Sequence, residues 1–158
     1  MSATEPLQIS NTGDRRRWMA LLAKASVEDL ESGWAALSDR PRYEFLRPPE
    51  TGLVMIRGRA GGTGQPFNMG EMTVTRCAVK LAAGSVGHGY VAGRNRRHAE
   101  LAAVFDGLMQ CGEHRPMLDE SLLDSIEKKL ASSHREAAAK TAATRVDFFT
   151  LVRGEDEC

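Results

Sequence analysis

Three cysteines, Cys77, Cys111 and Cys158, are scattered through 158 residues with no CxxC pair. So sparse and odd a set builds no disulfide framework and suits free thiols in a reducing compartment. An excess of charge of either sign is also missing, because 21 Lys and Arg stand against 21 Asp and Glu. No global field then draws in nucleic acid or an anionic membrane, and any basic function must be local. A neutral surface also leans towards association, since net charge is one of the things that keeps proteins apart. No run approaches the ~20 apolar residues that span a bilayer. The opening MSATEPLQISNTGD has neither a basic start nor an apolar stretch, so a secretory leader is not expected. Internal repeats and low-complexity tracts are absent as well. The expectation is one soluble, cytoplasmic domain, long enough to bury its own core.

What is present reads in order. Residues 1–13 look like a disordered lead-in to a single domain over 14–154, with 155–158 as a tail. Asp14 is a candidate helix cap, followed by Trp18, Leu21, Leu22 and Ala25 at helical spacing. Ser26 with Asp29 signals a second helix start, with Val27, Leu30, Trp34 and Leu37 on one face. Asp39-Arg40-Pro41 ends it. Tyr43 to Leu46 predicts a short strand stopped by Pro48-Pro49, and Thr51 to Arg59 a second strand. In the latter, Leu53 and Met55 occupy one face and Val54 and Ile56 the other, which predicts burial on both sides. GRAGGTGQPFNMG, residues 58–70, reads as a long loop.

Met72 to Leu81 and Ser85 to Ala92 alternate as paired strands around Ala82-Ala83-Gly84. Asn95 caps a helix striped by Leu101, Val104, Phe105 and Leu108, which Gly112 closes. Leu118, Leu122, Ile126 and Leu130 begin another helix that continues into alanine-rich sequence, where Glu136 and Lys140 form a favourable pair. Val146 to Val152 is strongly β-prone and suits an edge strand or a docking segment. The fold class is α+β: an antiparallel sheet of about four strands, an N-terminal helical pair and two C-terminal helices.

The least ordinary chemistry is Gly93-Arg94-Asn95-Arg96-Arg97-His98. A helix start carries partial positive charge, so anions are favoured there and arginines are not. Arg94, Arg96 and Arg97 break that rule together. Two readings stand: the side chains extend into water, or a phosphate or a partner's carboxylate occupies the site. His98, in the first turn, reads as a satisfied helix-start histidine within reach of the same anion. The glycine-rich loop has no Walker pattern, because no lysine with Ser or Thr follows and Gln65-Pro66 stands where a helix would begin. Gly87-His88-Gly89-Tyr90-Val91-Ala92 fits GxGxxA but lies within a strand of a hairpin, so it is no dinucleotide fingerprint. Its glycines are expected to admit close approach of another chain. Cys111 and His114 have CxxH spacing without a second pair, short of a zinc site. Glu71, Glu100 and Asp106 are carboxylates with no visible convergence. No catalytic residue and no metal site is assigned.

Three long strings carry more. ETGLVMIRGRAGGTGQPFNMGEMTVTRCAVKL, GHGYVAGRNRRHAELAAVFDGLMQ and TRVDFFTLVRG resemble the PhnG family of the bacterial carbon–phosphorus lyase system. The resemblance runs from about Arg16-Trp18-Met19 to Arg153-Gly154. It implies a multi-subunit core complex with PhnH, PhnI and PhnJ. With PhnI, PhnH and the ATPase-like PhnL, that family supports displacement of adenine from ATP by a phosphonate, giving α-D-ribose 1-methylphosphonate 5-triphosphate. An iron–sulfur cluster and S-adenosylmethionine are expected only in PhnJ, and base displacement chiefly in PhnI. No catalytic residue carries over to this chain. The expectation is therefore a non-catalytic, obligate subunit. The alternative is a direct triphosphate-recognition role for Arg94, Arg96 and Arg97, with His98 and Arg57.

Overall fold

The computed structural model describes residues 12–145. Helix α1 spans Thr12–Lys24 and α2 spans Val27–Ala36; strands β1 (Tyr43–Gly58), β2 (Phe67–Leu81) and β3 (Val86–Ala92) follow. Helix α3 covers Arg96–Met109, and a helical rod then runs from α4 (Arg115–Leu118) through a π-helical turn at Asp119–Leu123 into α5 (Asp124–Ala143). Among the described residues no helix is long and apolar enough to cross a membrane. The segment Val146 to Val152 lies outside the described residues, as do residues 1–11 and 155–158.

Local signals set most boundaries. Ser26 accepts from the Asp29 backbone N–H at 3.1 Å and Asn95 from that of His98 at 2.9 Å, so both expected caps form. The first helix begins at Thr12, with Asp14 inside its first turn rather than at the cap. There Asp14 favours the positive helix end and ties to Arg115 at 2.5 Å.

The mixed α+β architecture matches expectation, with three strands among the described residues in place of about four. The order is β1-β2-β3, antiparallel throughout. Pro48-Pro49 does not end a strand. Register shifts between Phe45 and Arg47 and between Arg47 and Glu50 absorb the prolines, and pairing then resumes from Glu50 to Gly58. Proline cannot donate to a ladder, but β1 is an edge strand, where no neighbour asks for the missing N–H. The expected loop also shortens, because Phe67, Asn68 and Gly70 pair with Gly58, Arg57 and Ile56.

Helix α3 is the centre of the molecule. Every residue from His98 to Met109 is buried except Glu100. The sheet covers one side of it, while α1, α2 and the C-terminal rod cover the other. Trp18, Leu22, Leu30, Val79, Phe105 and Leu123 fill the core around it. Close approach to β3 depends on two glycines. A Cβ at Gly87 would stand 1.9 Å from the Ala103 carbonyl oxygen, and one at Gly89 would stand 2.0 Å from that of Ala99. These glycines therefore admit the chain's own α3, not another chain as the sequence suggested. The facing helix residues, Ala99, Ala103 and Gly107, are small and lie one turn apart, so backbone meets backbone.

Beyond Ala92, where β3 stops pairing at Val74, strands β1 and β2 continue alone as a two-stranded arm. Its apolar side chains are exposed: Leu53 at 64%, Met69 at 62% and Met55 at 55%. The both-sided burial expected for Leu53 to Ile56 is not supplied by the described residues. Past Ser132 every described residue of α5 is likewise exposed.

Gly89→Ala is expected to lower stability in urea by more than about 2 kcal/mol, because a helix backbone cannot yield as a side chain can. Gly52→Ala, where an added Cβ meets nothing within 4 Å, is expected to stay within about 1 kcal/mol. Equal unfolding midpoints for the two variants would contradict the packing described.

Candidate functional site

The arginine cluster is positioned by a short strap from β3 into α3. Gly93 takes φ +91, a conformation that side chains disfavour. Its N–H donates to the Thr73 carbonyl at 2.9 Å, and its carbonyl accepts from Thr75 Oγ1 at 2.8 Å. Thr75 is fully buried and meets Thr51 Oγ1 at 3.2 Å. The strap is thus tied to both long strands before Asn95 starts the helix.

The predicted site residues separate into distinct roles. Arg97 turns back onto the protein. Its Nε and Nη2 donate to the two Glu31 carboxylate oxygens at 2.8 and 3.2 Å, and its Nη1 lies 3.3 Å from Glu100. Glu100 also accepts from the Tyr43 hydroxyl at 2.5 Å. The hydrogen bond from Arg97 holds Glu31 below the usual carboxylate range, and the same bond raises Arg97 above its ordinary value. Burial first, and Glu100 second, push the Tyr43 phenol up to about 12. The negative charge that the sequence left unassigned is, for Arg97, supplied from α2 and from one turn further along α3.

His98 is buried, with Nε2 2.9 Å from the Leu22 carbonyl oxygen. A carbonyl only accepts, so His98 donates from Nε2 and pins α3 to α1.

Arg94 and Arg96 are different. Both are exposed and line an open hollow of about 530 Å³ with Thr51, Gly52, Leu53 and Thr73. Neither makes an ion pair with another described residue. Two guanidinium groups beside the positive end of a buried helix form a local field that suits a phosphate or a carboxylate. Arg57 does not line this hollow. It lies four residues past Leu53 on β1, about 13 Å further along at the rise of a strand. The glycine-rich turn lies beyond Arg57, at the end of the arm, with Ala60–Gly62 as a single 3₁₀ turn.

The carboxylates do not gather. Glu71 is on the arm, Glu100 is engaged by Tyr43 and Arg97, and Asp106 is sealed in the core. No three His, Cys, Asp or Glu residues among those described could together hold a metal ion. Asp106 itself proves central in a way the sequence did not suggest. It is wholly buried and accepts from Arg15 Nε and Nη2 at 3.1 and 2.7 Å, from Trp18 Nε1 at 2.8 Å and from the His88 N–H at 2.9 Å. The available signal was its place directly after Phe105 in a helix with apolar residues on all sides. A charge there must be paired.

The family model described as phosphonate metabolism protein PhnG matches residues 13–154. Over 156 residues, 99% of this chain and 99% of the relative, the sequence is 47% identical to an alpha-D-ribose 1-methylphosphonate 5-triphosphate synthase subunit PhnG from Rhizobium meliloti (strain 1021).

The network that closes Arg97 has a pH signature at both ends. The raised Tyr43 phenol contributes stability that is fully present below the ordinary tyrosine range near ~10, and this is lost as pH rises through about 12. The lowered Glu31 contributes above the ordinary carboxylate range, and its share is lost as pH falls through its folded value. Tyr43→Phe is expected to remove the latest-titrating component of the phenolate absorbance, and Glu31→Gln to flatten the acid limb of melting temperature against pH. Loss of a component that titrates in the ordinary tyrosine range, together with an acid limb that Glu31→Gln leaves unchanged, would show that the network does not form.

Proposed function

The chain belongs to the PhnG family, and from that membership we propose that it is a non-catalytic, obligate subunit of the carbon–phosphorus lyase core complex. In this reading the complex transfers a phosphonate to the ribose C1 of ATP. A phosphonate oxygen forms the new bond to C1, and the bond to adenine breaks. The chemistry is that of a transferase in phosphonate catabolism, and the setting is cytoplasmic. The observation that carries the reading is 47% identity, over an alignment spanning 99% of both chains, with a protein named as a synthase subunit. The exposed apolar arm and the bare end of α5 support it, because each offers surface that an assembly would cover. The partners are PhnH, PhnI and PhnJ, with PhnL acting alongside. The iron–sulfur cluster and S-adenosylmethionine belong to PhnJ, and this chain carries no cofactor of its own.

A second reading has one specific observation in its favour: the hollow at Arg94 and Arg96, whose charges meet no carboxylate among the described residues. Here the two arginines hold part of the nucleotide triphosphate. Arg97 then secures the strap from behind, and neither His98 nor Arg57 touches the ligand.

Co-expression with PhnH, PhnI and PhnJ is expected to give one complex that co-elutes in gel filtration. A chain that elutes alone beside its assembled partners would overturn the subunit role. Within the complex, Arg94→Ala is expected to weaken ATP binding by about 1.5–3 kcal/mol, the scale of a hydrogen bond to a charged group. Unchanged ATP affinity in an intact complex would remove the second reading and leave the first standing.

A further inference from the structure

We propose that the β1–β2 arm is a plug that enters an apolar, carboxylate-rimmed cleft on a different polypeptide of the assembly. This rests on the subunit role proposed above and names the surface through which that role is exercised.

The arm has no support of its own. Past the Val74–Ala92 pair β3 no longer pairs with it. A lone two-stranded ribbon is marginal in water. Yet this ribbon carries Leu53, Met55, Ile56, Phe67, Met69 and Met72, all exposed. Together these leave on the order of 500 Å² of apolar side chain bare, divided between the two faces of the ribbon. That is also most of the ~800 Å² per partner that a stable interface uses.

Register decides the shape of the occupant. Leu53 pairs with Thr73 and Met55 with Glu71, so both apolar side chains share one face. Val54 pairs with Met72 and Ile56 with Gly70, which puts Met72 and Ile56 on the opposite face. Docking against a flat surface would cover one face and leave the other wet. Only a cleft that encloses the ribbon buries both.

A second copy of this chain does not meet that requirement. Two arms lying together would cover one face, or the free β1 edge, of each. Four clefts among the described residues hold about 370 to 660 Å³ each. A ribbon of two strands about 20 Å long and about 10 Å thick needs on the order of 2,000 Å³. The occupant is therefore a different protein. Its charge follows from Arg57 and Arg59, which have no ion pair with a described residue and stand against Glu71 as the arm's one acid. Carboxylates at the rim of the cleft complete the match.

The test uses the full chain, tagged and co-expressed with the proposed partner subunits. Leu53→Ser with Met55→Ser and Met69→Ser is expected to cut partner retention by about tenfold or more, the effect of losing one well-buried anchor. Because these side chains lie outside the core, the variant's thermal melt is expected to match the native one. Arg57→Glu with Arg59→Glu is expected to weaken retention at low salt and to matter less at high salt. Independently of folding in the variants, a benzoylphenylalanine crosslinker in place of Met69 is expected to join a different polypeptide of the complex. If the native chain captures its partners and the folded serine variant does so equally well, the plug is wrong and the subunit role survives. If the native chain captures none, both are overturned. Crosslinks from position 69 to a second copy of this chain would also overturn the plug.

Discussion

One buried carboxylate sets how the layers of this protein meet. Asp106 lies in the middle of the most enclosed helix and has no exposure. An unpaired charge there would be prohibitively unstable, so the fold forms only where donors converge on it. They come from two sides, Arg15 and Trp18 from α1 and the His88 N–H from β3, while α3 carries the acid itself. A pairing of this kind does not by itself guarantee net stability. Its structural consequence is clearer. It fixes the rotation of α3, and that rotation turns Ala99, Ala103 and Gly107 towards Gly87 and Gly89. A helix rolled by one residue would present Val104 or Leu108 to a strand with no room for them.

The same constraint places the arginines. With α3 held in rotation by Asp106 and at its start by the Gly93 strap, the three guanidinium groups near its first turn cannot share one environment. Arg97 faces α2 and finds Glu31, while Arg94 and Arg96 face the root of the arm and find none among the described residues. The cost of placing cations at the positive end of a helix is thus offset within the chain for one residue and left standing for two. In a protein with no net charge, that uncompensated pair is a local feature with little background to mask it.

Much of this was legible in the sequence, and the failures share a cause. Helical stripes and the caps at Ser26 and Asn95 are local, and they were readable because their partners lie three or four residues away. The break expected at Pro48-Pro49 was misjudged because a proline's effect depends on whether the strand is at an edge, which sequence does not state. The glycines at 87 and 89 announced a close approach without saying what approached. Asp106 stood out only as a charge inside an apolar helix, and its donors Arg15, Trp18 and His88, 91, 88 and 18 residues distant, were not legible. The arginine cluster was visible as a breach of the helix-dipole rule. Its division into one satisfied and two open residues was not, since Glu31 is 66 residues from Arg97.

The alternation at Leu53 to Ile56 is a different kind of case. It asks for burial on both faces, and the described residues leave Leu53, Met55 and Ile56 exposed. Hydrophobic burial is the main favourable term in folding and in association alike, so a pattern unmet by the first is available to the second. Leu53 and Thr73 belong both to the root of the arm and to the wall of the hollow that holds Arg94 and Arg96. A cleft that encloses the arm to its root would therefore roof the hollow as well. Removing water there strengthens every charge interaction inside it. The two open features of this protein then cease to be independent: whatever covers the apolar arm to its root also sets the solvation of Arg94 and Arg96.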